Sequence, residues 1–484
     1  MSKGKMAYDM REAVVADIAG PLPGFKADPA LSTMELIRMN WADKQARHLL
    51  LISESNNSVP LLGMLDMPAH QTRRPELVVL HGSPLPADAG DDYVLRQVSR
   101  VIECMKNGDI VVLKSLDRLY GALYDMLNQN YQLIGQQACC HIAHGQYSSP
   151  WQVVHENFRC IVMVSSSDVP SLQPPFLNRF EKHIVSWDML TRTPAETDIL
   201  SKLKTTITRL RMAKTTEGKM LARKNEVTFA GFSENMMLPS IASVVVRKYP
   251  SASSEEQYTH AFNLLSSLMW PESAVLCRGA AEMRTQFLNA YSESHPFDDL
   301  AGLLEHSRSS APTLSEVHLV REGSVAGARV ADSTARIARK VVLTKSPIST
   351  PLFKPPEAAQ GTVIVEISEI TRETELESRV MAFVENKNKE VHSLVIRCDG
   401  RQDSKKVSFI CHCVDEAIRK AKQFGAVNRV IAVVMTVPSI ADAKLNADWS
   451  LNFFGGWDPV TLEHLHRLTF PIRFVFCLVM FMLI

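Results

Sequence analysis

The sequence is short of most things that would assign a function at sight. No stretch of its 484 residues reads Gly-x-x-x-x-Gly-Lys-Ser/Thr, the loop whose backbone N–H groups cradle a nucleotide's phosphates. Lys and Arg number 53 against 52 for Asp and Glu, so no global field draws nucleic acid or an anionic membrane, and neither is expected as a partner. The start, MSKGKMAYDMREAVV, has no apolar stretch of the kind a secretory leader needs. The nine cysteines are scattered rather than spaced as a framework, which suits a reducing cytosol. Long apolar runs are missing too. The chain closes on FPIRFVFCLVMFMLI, whose uncharged part, 474–484, falls well short of the roughly 20 residues of a membrane-spanning helix. That tail reads as a buried strand or the apolar end of an incomplete chain, with a membrane anchor as the remaining alternative.

What is present is an alternation. RHLLLISES (47–55), ELVVLHGS (76–83), DIVVLKSL (109–116) and NFRCIVMVSS (157–166) are short apolar runs bounded by Ser, Asn and Gly. Such runs mark strands buried on both faces, and 49–53, 77–81, 110–114 and 159–164 should share one sheet. Between them, DYVLRQVSRVIECMKNG (92–108) has apolar residues at helical spacing and closes on Gly108. DRLYGALYDMLNQNYQLI (117–134) places Leu119, Tyr120, Leu123, Tyr124, Leu127 and Tyr131 on one helical face. Strands separated by helices imply an α/β core with a mostly parallel sheet. Residues 189–330 are mainly helical, with Ile199, Leu203, Ile207 and Leu210 recurring and NMMLPSIASVVVRKY and YTHAFNLLSSLMW amphipathic. KSPISTPLFKPPEAAQG then suits an extended linker. Strand signals resume at TVIVEIS, SLVIRC and RVIAVVMTV, with helical ELESRVMAFVENK and VDEAIRKAKQF between them. The division expected is a connecting segment (1–44), an α/β core (45–188), a helical lid (189–330), a Pro/Ser-rich linker (331–361), a partial second α/β unit (362–469) and the apolar tail (470–484).

Core, lid and second core is the plan of a tandem nucleotide-binding ATPase, and the chemistry can be checked against it. ESNNSVPLLGML follows the first strand and carries no phosphate-binding lysine. The strand that should end in an acidic pair, to hold Mg²⁺ and orient water, ends in Lys114 and Ser115. In the second unit LVIRCDG offers Asp399 alone. No ATP, Mg²⁺ or zinc site is therefore expected in this chain. Cys411-His412-Cys413, and Cys139-Cys140-His141 with His144, lack the spacing of four-ligand zinc and read as buried thiols. Tyr120, Tyr124 and Tyr131 read as core rather than a ligand cleft, and Asp117, ahead of Arg118, as a helix N-cap rather than a metal ligand.

One arginine is framed for something. In NFRCIVMVSSSDVPSLQPPFLNRFEKHIV a strand, a loop and two prolines lead to a short helix carrying Asn178 and Arg179, then to another strand. Pro174 and Pro175 fix where that helix begins, and Phe176, Leu177 and Phe180 can anchor it. Ring ATPases place an arginine there to neutralise a neighbour's γ-phosphate. The plain alternative is a surface arginine paired with Glu181. On the first reading Arg179 should lie at a surface rim near the C-terminal ends of the strands.

RHLLLISES, VSRVIECMKNGDIVVLKSLDRLYGALYDMLNQNY, the Arg179 segment and, more weakly, GGWDPVTLEHL resemble the mysterin-type giant E3 ubiquitin ligases, built on a dynein-like row of AAA+ units. The resemblance covers roughly 45–465 and is strongest over 92–187. It implies a P-loop-NTPase-like AAA+ core that has lost its nucleotide motifs, followed by the start of the next unit. It also implies neighbouring AAA+ units and the ubiquitin machinery as partners, an arginine-finger-like role for Arg179 with Asn178, and ATP, Mg²⁺ and zinc sites only elsewhere in a longer relative. A free-standing interaction scaffold, or an ATP-binding enzyme with a non-standard loop, are the alternatives.

Overall fold

An uninterrupted apolar run satisfies its backbone only in a sheet covered on both faces, and the apolar runs of this chain do become such strands. The computed structural model describes residues 32–53, 59–64, 75–143, 150–190, 193–212, 229–270, 281–297, 299–310, 336–344, 361–400, 402–403, 406–421, 428–437 and 456–462. The chain divides into two compact units: Met1–Glu54, Leu65–Leu80 and Val94–Ser186 form the first, and Ser55–Met64, His81–Tyr93 and Trp187–Ile484 the second.

In the first unit α1 (Thr33–Ala42) opens with a capping box, Ser32 and Glu35 each accepting the other's backbone N–H. β1 (Leu49–Ser53), β2 (Leu77–His81), β3 (Ile110–Lys114), β7 (Arg159–Ser165) and β8 (Glu181–Val185) then make a five-stranded sheet in the order β2-β3-β7-β1-β8. The β3–β7, β7–β1 and β1–β8 pairs are parallel, with Leu49 opposite both Ile161 and Glu181. The four strands expected to share a sheet do share it, and the fold class is the P-loop-like α/β core of the AAA+ resemblance. α2 (Asp91–Asn107) carries two aspartates in its first turn, which complements the helix dipole. It ends at Gly108 with φ of +75°, where a Cβ would overlap the His155 ring.

The helix expected over 117–134 is broken. A 3₁₀ turn (Asp117–Leu119) is followed by a single turn, α3 (Tyr124–Leu127), which stops where Gln129 takes φ of +55°. The chain then makes an antiparallel three-stranded meander, β4 (Gln132–Ile134), β5 (Gln137–His141) and β6 (Trp151–Val153), turning at Gly135 with φ of +66°. α4 (Pro174–Leu177) leads back to β8.

The second unit has a helical layer, α5 (Pro194–Met212), α6 (Glu234–Lys248), α7 (Ser254–Ser266), α8 (Ala281–Ser294) and α9 (Leu300–Ser309). Ile199, Leu203, Ile207 and Leu210, the recurring positions of α5, are all buried, and they share one apolar cluster with α6, α7 and the second sheet. That sheet contains β9 (Ile337–Thr344), β10 (Thr362–Glu366), β11 (Ser393–Asp399), β12 (Arg429–Thr436) and β13 (Asp458–Thr461), in the order β10-β11-β12-β9-β13. Numbered within each sheet, both orders are 2-3-4-1-5, and the pairs of the second sheet are all parallel. α10 (Glu373–Val384) and α11 (Val407–Lys420) connect its strands. Along β9 and β12, Val341, Leu343, Ile431 and Val433 join the large cluster, while Ala338, Val342, Val430, Ala432 and Val434 pack with Leu300, Leu303 and Leu304 of α9. The alternation is that of a sheet covered on both faces.

The second sheet begins inside the stretch read as linker. IARKVVLT, with Arg339 and Lys340 at its centre, is a central strand because both cations find carboxylates: Arg339 meets Asp415 at 2.6 Å and Lys340 meets Asp458 at 3.0 Å. Trp457 Nε1 also donates to Asp415 Oδ2, at 3.1 Å, which seats the start of β13. Burial works against the Asp415 charge and raises its pKa, and Arg339 opposes that shift. At the start of β12, buried Arg429 donates to the carbonyls of Phe383 (2.5 Å) and Val384 (2.7 Å), which close α10, and of Asn386 just beyond it.

Candidate functional site

Two edges of the first sheet bear on function. At the C-terminal ends, β3 delivers Lys114, buried, and Ser115, with φ of +55°. Mg²⁺ takes hard oxygen ligands, commonly carboxylates, and a lysine at the position of the acidic pair does not fit it. Asp117 does not cap a helix: it is the first residue of the 3₁₀ turn, the capping position is Leu116, and no side-chain cap bond forms there. In the second unit Asp399 closes β11, and its N–H donates to Asp403, whose carboxylate also meets Lys406 at 2.7 Å. The residues after β1 (54–58) and after β9 (345–360), where phosphate loops would lie, fall outside the described residues.

In the cysteine clusters Cys139, Cys140 and Cys413 are buried and Cys411 is half-buried. Cys139 and Cys140 are buried on β5, and burial pushes the Cys140 thiol up to about 12. Burial likewise raises Cys411 and Cys413 on α11, so the thiolates a metal would need are disfavoured. His412 stacks on His81, ring centres 5.8 Å apart, and His144 lies outside the described residues. Among the described residues no group of three His, Cys, Asp or Glu could hold a metal ion, and no helix is long and apolar enough to cross a membrane. The apolar tail lies outside the described residues.

The tyrosines part company. Tyr120 is buried and stacks on Phe176, centroids 4.6 Å apart. Tyr131 reaches buried His48 at 3.2 Å. Tyr124 is 51% exposed, so the expectation of core fails for it. The reason is the broken helix, which removes the common face the three were read to share.

Tyr124 is what holds Arg179. The guanidinium carbon sits 4.3 Å from the Tyr124 ring centre and 6.0 Å from that of Phe176. Beneath it Phe176 and Phe180 are buried, rings 5.0 Å apart, and Leu177 is half-buried. Glu181 is not its partner: that carboxylate accepts from Asn40 Nδ2 at 2.7 Å and meets His183 Nε2 at 2.8 Å. Nor does Arg179 lie at the C-terminal ends of the strands. It stands two residues ahead of β8, whose first residue pairs with the first residue of β1, so it lies at the N-terminal edge. A parallel strand can start only after the chain has crossed back over the sheet, and α4 completes that crossing.

Residues 38–191 match the family profile of the RNF213 AAA domain. Over these residues the chain is similar to an RNF213 AAA+ domain. Human RNF213, an E3 ubiquitin-protein ligase, is 32% identical over 175 residues, which is 34% of this chain and 3% of that protein. Zebrafish rnf213-beta is 31% identical over 219 residues, 40% of this chain and 4% of the relative, and mouse RNF213 is 29% identical over 226 residues, 42% and 4%. The chain therefore spans only a few per cent of the length of these RNF213 relatives. The matched profile spans the β1–β8 sheet, α4 and Arg179 together.

Proposed function

We propose that this chain is a nucleotide-incompetent AAA+ unit of an RNF213-like E3 ubiquitin ligase, standing in a row of ATPase units and passing on motion generated by its neighbours. One observation carries the reading: β3 ends in buried Lys114, followed by exposed Ser115, where an ATPase needs carboxylates for Mg²⁺. The lack of a phosphate-loop lysine in the sequence supports it. Arg179, with Asn178, is the contact this unit offers a neighbouring AAA+ unit, arginine-finger-like if that neighbour is active. The ubiquitin machinery is the partner of the whole assembly. Cytosolic residence agrees with seven described cysteines that are all free thiols.

The test is turnover. The purified chain with Mg²⁺ and ATP should release phosphate at the enzyme-free rate, and hydrolysis abolished by a single substitution in this chain would overturn the reading. In a full-length relative, Arg179→Ala should slow hydrolysis by an active neighbour with little loss of nucleotide affinity. Beside an inactive neighbour it should cost only interface stability, on the order of 1 kcal/mol.

A further inference from the structure

Three cations gather around the end of α4 and the start of β8 without a carboxylate. Arg47 Nη1 donates to the Asn178 carbonyl. Lys182 Nζ donates to the carbonyls of Leu177 and Phe180, at 3.0 and 3.2 Å. Arg179 rests on the Tyr124 ring. Each finds a partner, and none finds a formal negative charge among the described residues. The nearby carboxylates are engaged otherwise: Glu181 with Asn40 and His183, Asp125 with Asn130 Nδ2 at 3.0 Å, and Glu156 with Lys44 at 2.7 Å. Arg47, Lys182 and Tyr124 are exposed and Arg179 is half-buried. The whole chain carries a net charge of only +1, so this is a local concentration rather than a general excess.

We propose that this rim is the docking surface for an acidic, extended polypeptide segment. A guanidinium stacked on a ring keeps its N–H edge free, the geometry that takes a carboxylate in bidentate fashion. The carbonyls at and just past the end of α4 already accept from Lys182 and Arg47, so what the rim lacks is a formal negative charge. Single carboxylates spaced along a peptide can address each cation while standing clear of those carbonyls. β8 is an edge strand of its sheet, and Lys182 and Ile184, both exposed, point to the same side of it. A segment laid along this edge would set an acidic residue near Lys182 and an apolar one near Ile184. The inference does not depend on the nucleotide status of the unit, so either can fail alone.

The experiment is fluorescence anisotropy with a labelled peptide of about ten residues alternating Glu and Val, against the full chain at rising salt. Binding should weaken with salt, and a Lys/Val peptide should not bind. The triple variant R47S/R179S/K182S should bind at least about tenfold more weakly, and the equally charge-changing K204S/K387S/K389S less than about twofold. Should the rim triple melt early, the single K182Q, on an exposed side chain, should still weaken binding about twofold or more. Equal losses from the two triples, or binding indifferent to salt, would overturn the proposal.

Discussion

His48 should make the first unit lose stability in mild acid. The ring is buried, Nδ1 accepts the Cys160 N–H at 3.2 Å, and Nε2 lies 3.2 Å from the Tyr131 hydroxyl. With Nδ1 accepting, the ring's one proton is on Nε2 and is donated to Tyr131, which can donate onward to the Met126 carbonyl at 3.4 Å. A second proton would have to sit on Nδ1, facing the Cys160 N–H. Burial, then the positive charge of Arg159, push the folded pKa down to about 3, against 6.5 when unfolded. The unfolded state therefore binds more protons between those values. The stability is complete above pH 6.5 and is lost as pH falls toward 3. At pH 5 the unfolded imidazole is about 97% protonated and the folded one about 1%, worth about 2 kcal/mol at 1.36 kcal/mol per pKa unit. Hydrogen exchange of β1 and β7 peptides, corrected for intrinsic rates, should show that loss between pH 7 and 5. A His48→Asn variant, which keeps an acceptor for Cys160 but does not titrate, should lack it. Equal losses in both proteins, or a His48 NMR titration midpoint near 6, would refute the reasoning.

Two other perturbations follow from named contacts. Arg429→Met roughly keeps the volume but takes a donor from three carbonyls at and just past the end of α10, and should destabilise the second unit by about 3 kcal/mol in urea unfolding. Unchanged stability would show that water replaces the guanidinium there. Gly108→Ala forces a Cβ into the left-handed region and against His155, and should cost about 2 kcal/mol. Adding His155→Ala should recover only the steric part, and full recovery would mean the φ angle is not the constraint.

The sequence was most legible where burial is uniform. LLLIS, IVVLK and RCIVMVS are strands with covered faces, and period and composition alone pick them out. β9 escaped because Arg339 and Lys340 interrupt its apolar run, and the carboxylates that accept them come from positions 415 and 458, far along the chain. The β4–β6 meander escaped for the opposite reason: β4 is exposed along its whole length, so no burial pattern marks it. The 117–134 segment shows a real helical periodicity overridden locally, Gln129 taking a left-handed φ that no hydrophobic pattern announces. At the candidate site, the prolines and phenylalanines framing Arg179 could be read. Its seat on Tyr124, and the cations Arg47 and Lys182 beside it, depend on tertiary placement. The absence of a Gly-x-x-x-x-Gly-Lys-Ser/Thr stretch could be read directly, because a phosphate loop demands particular residues at particular spacings.

The proposal that this chain keeps the AAA+ fold without binding nucleotide is tested most directly by calorimetric titration of the intact chain with ATP, with and without Mg²⁺. Lys114 and Ser115 at the end of β3 leave the metal without carboxylates, so the account predicts no saturable heat up to about millimolar ATP and no effect of Mg²⁺. Saturable, Mg²⁺-dependent binding at micromolar concentration would contradict it.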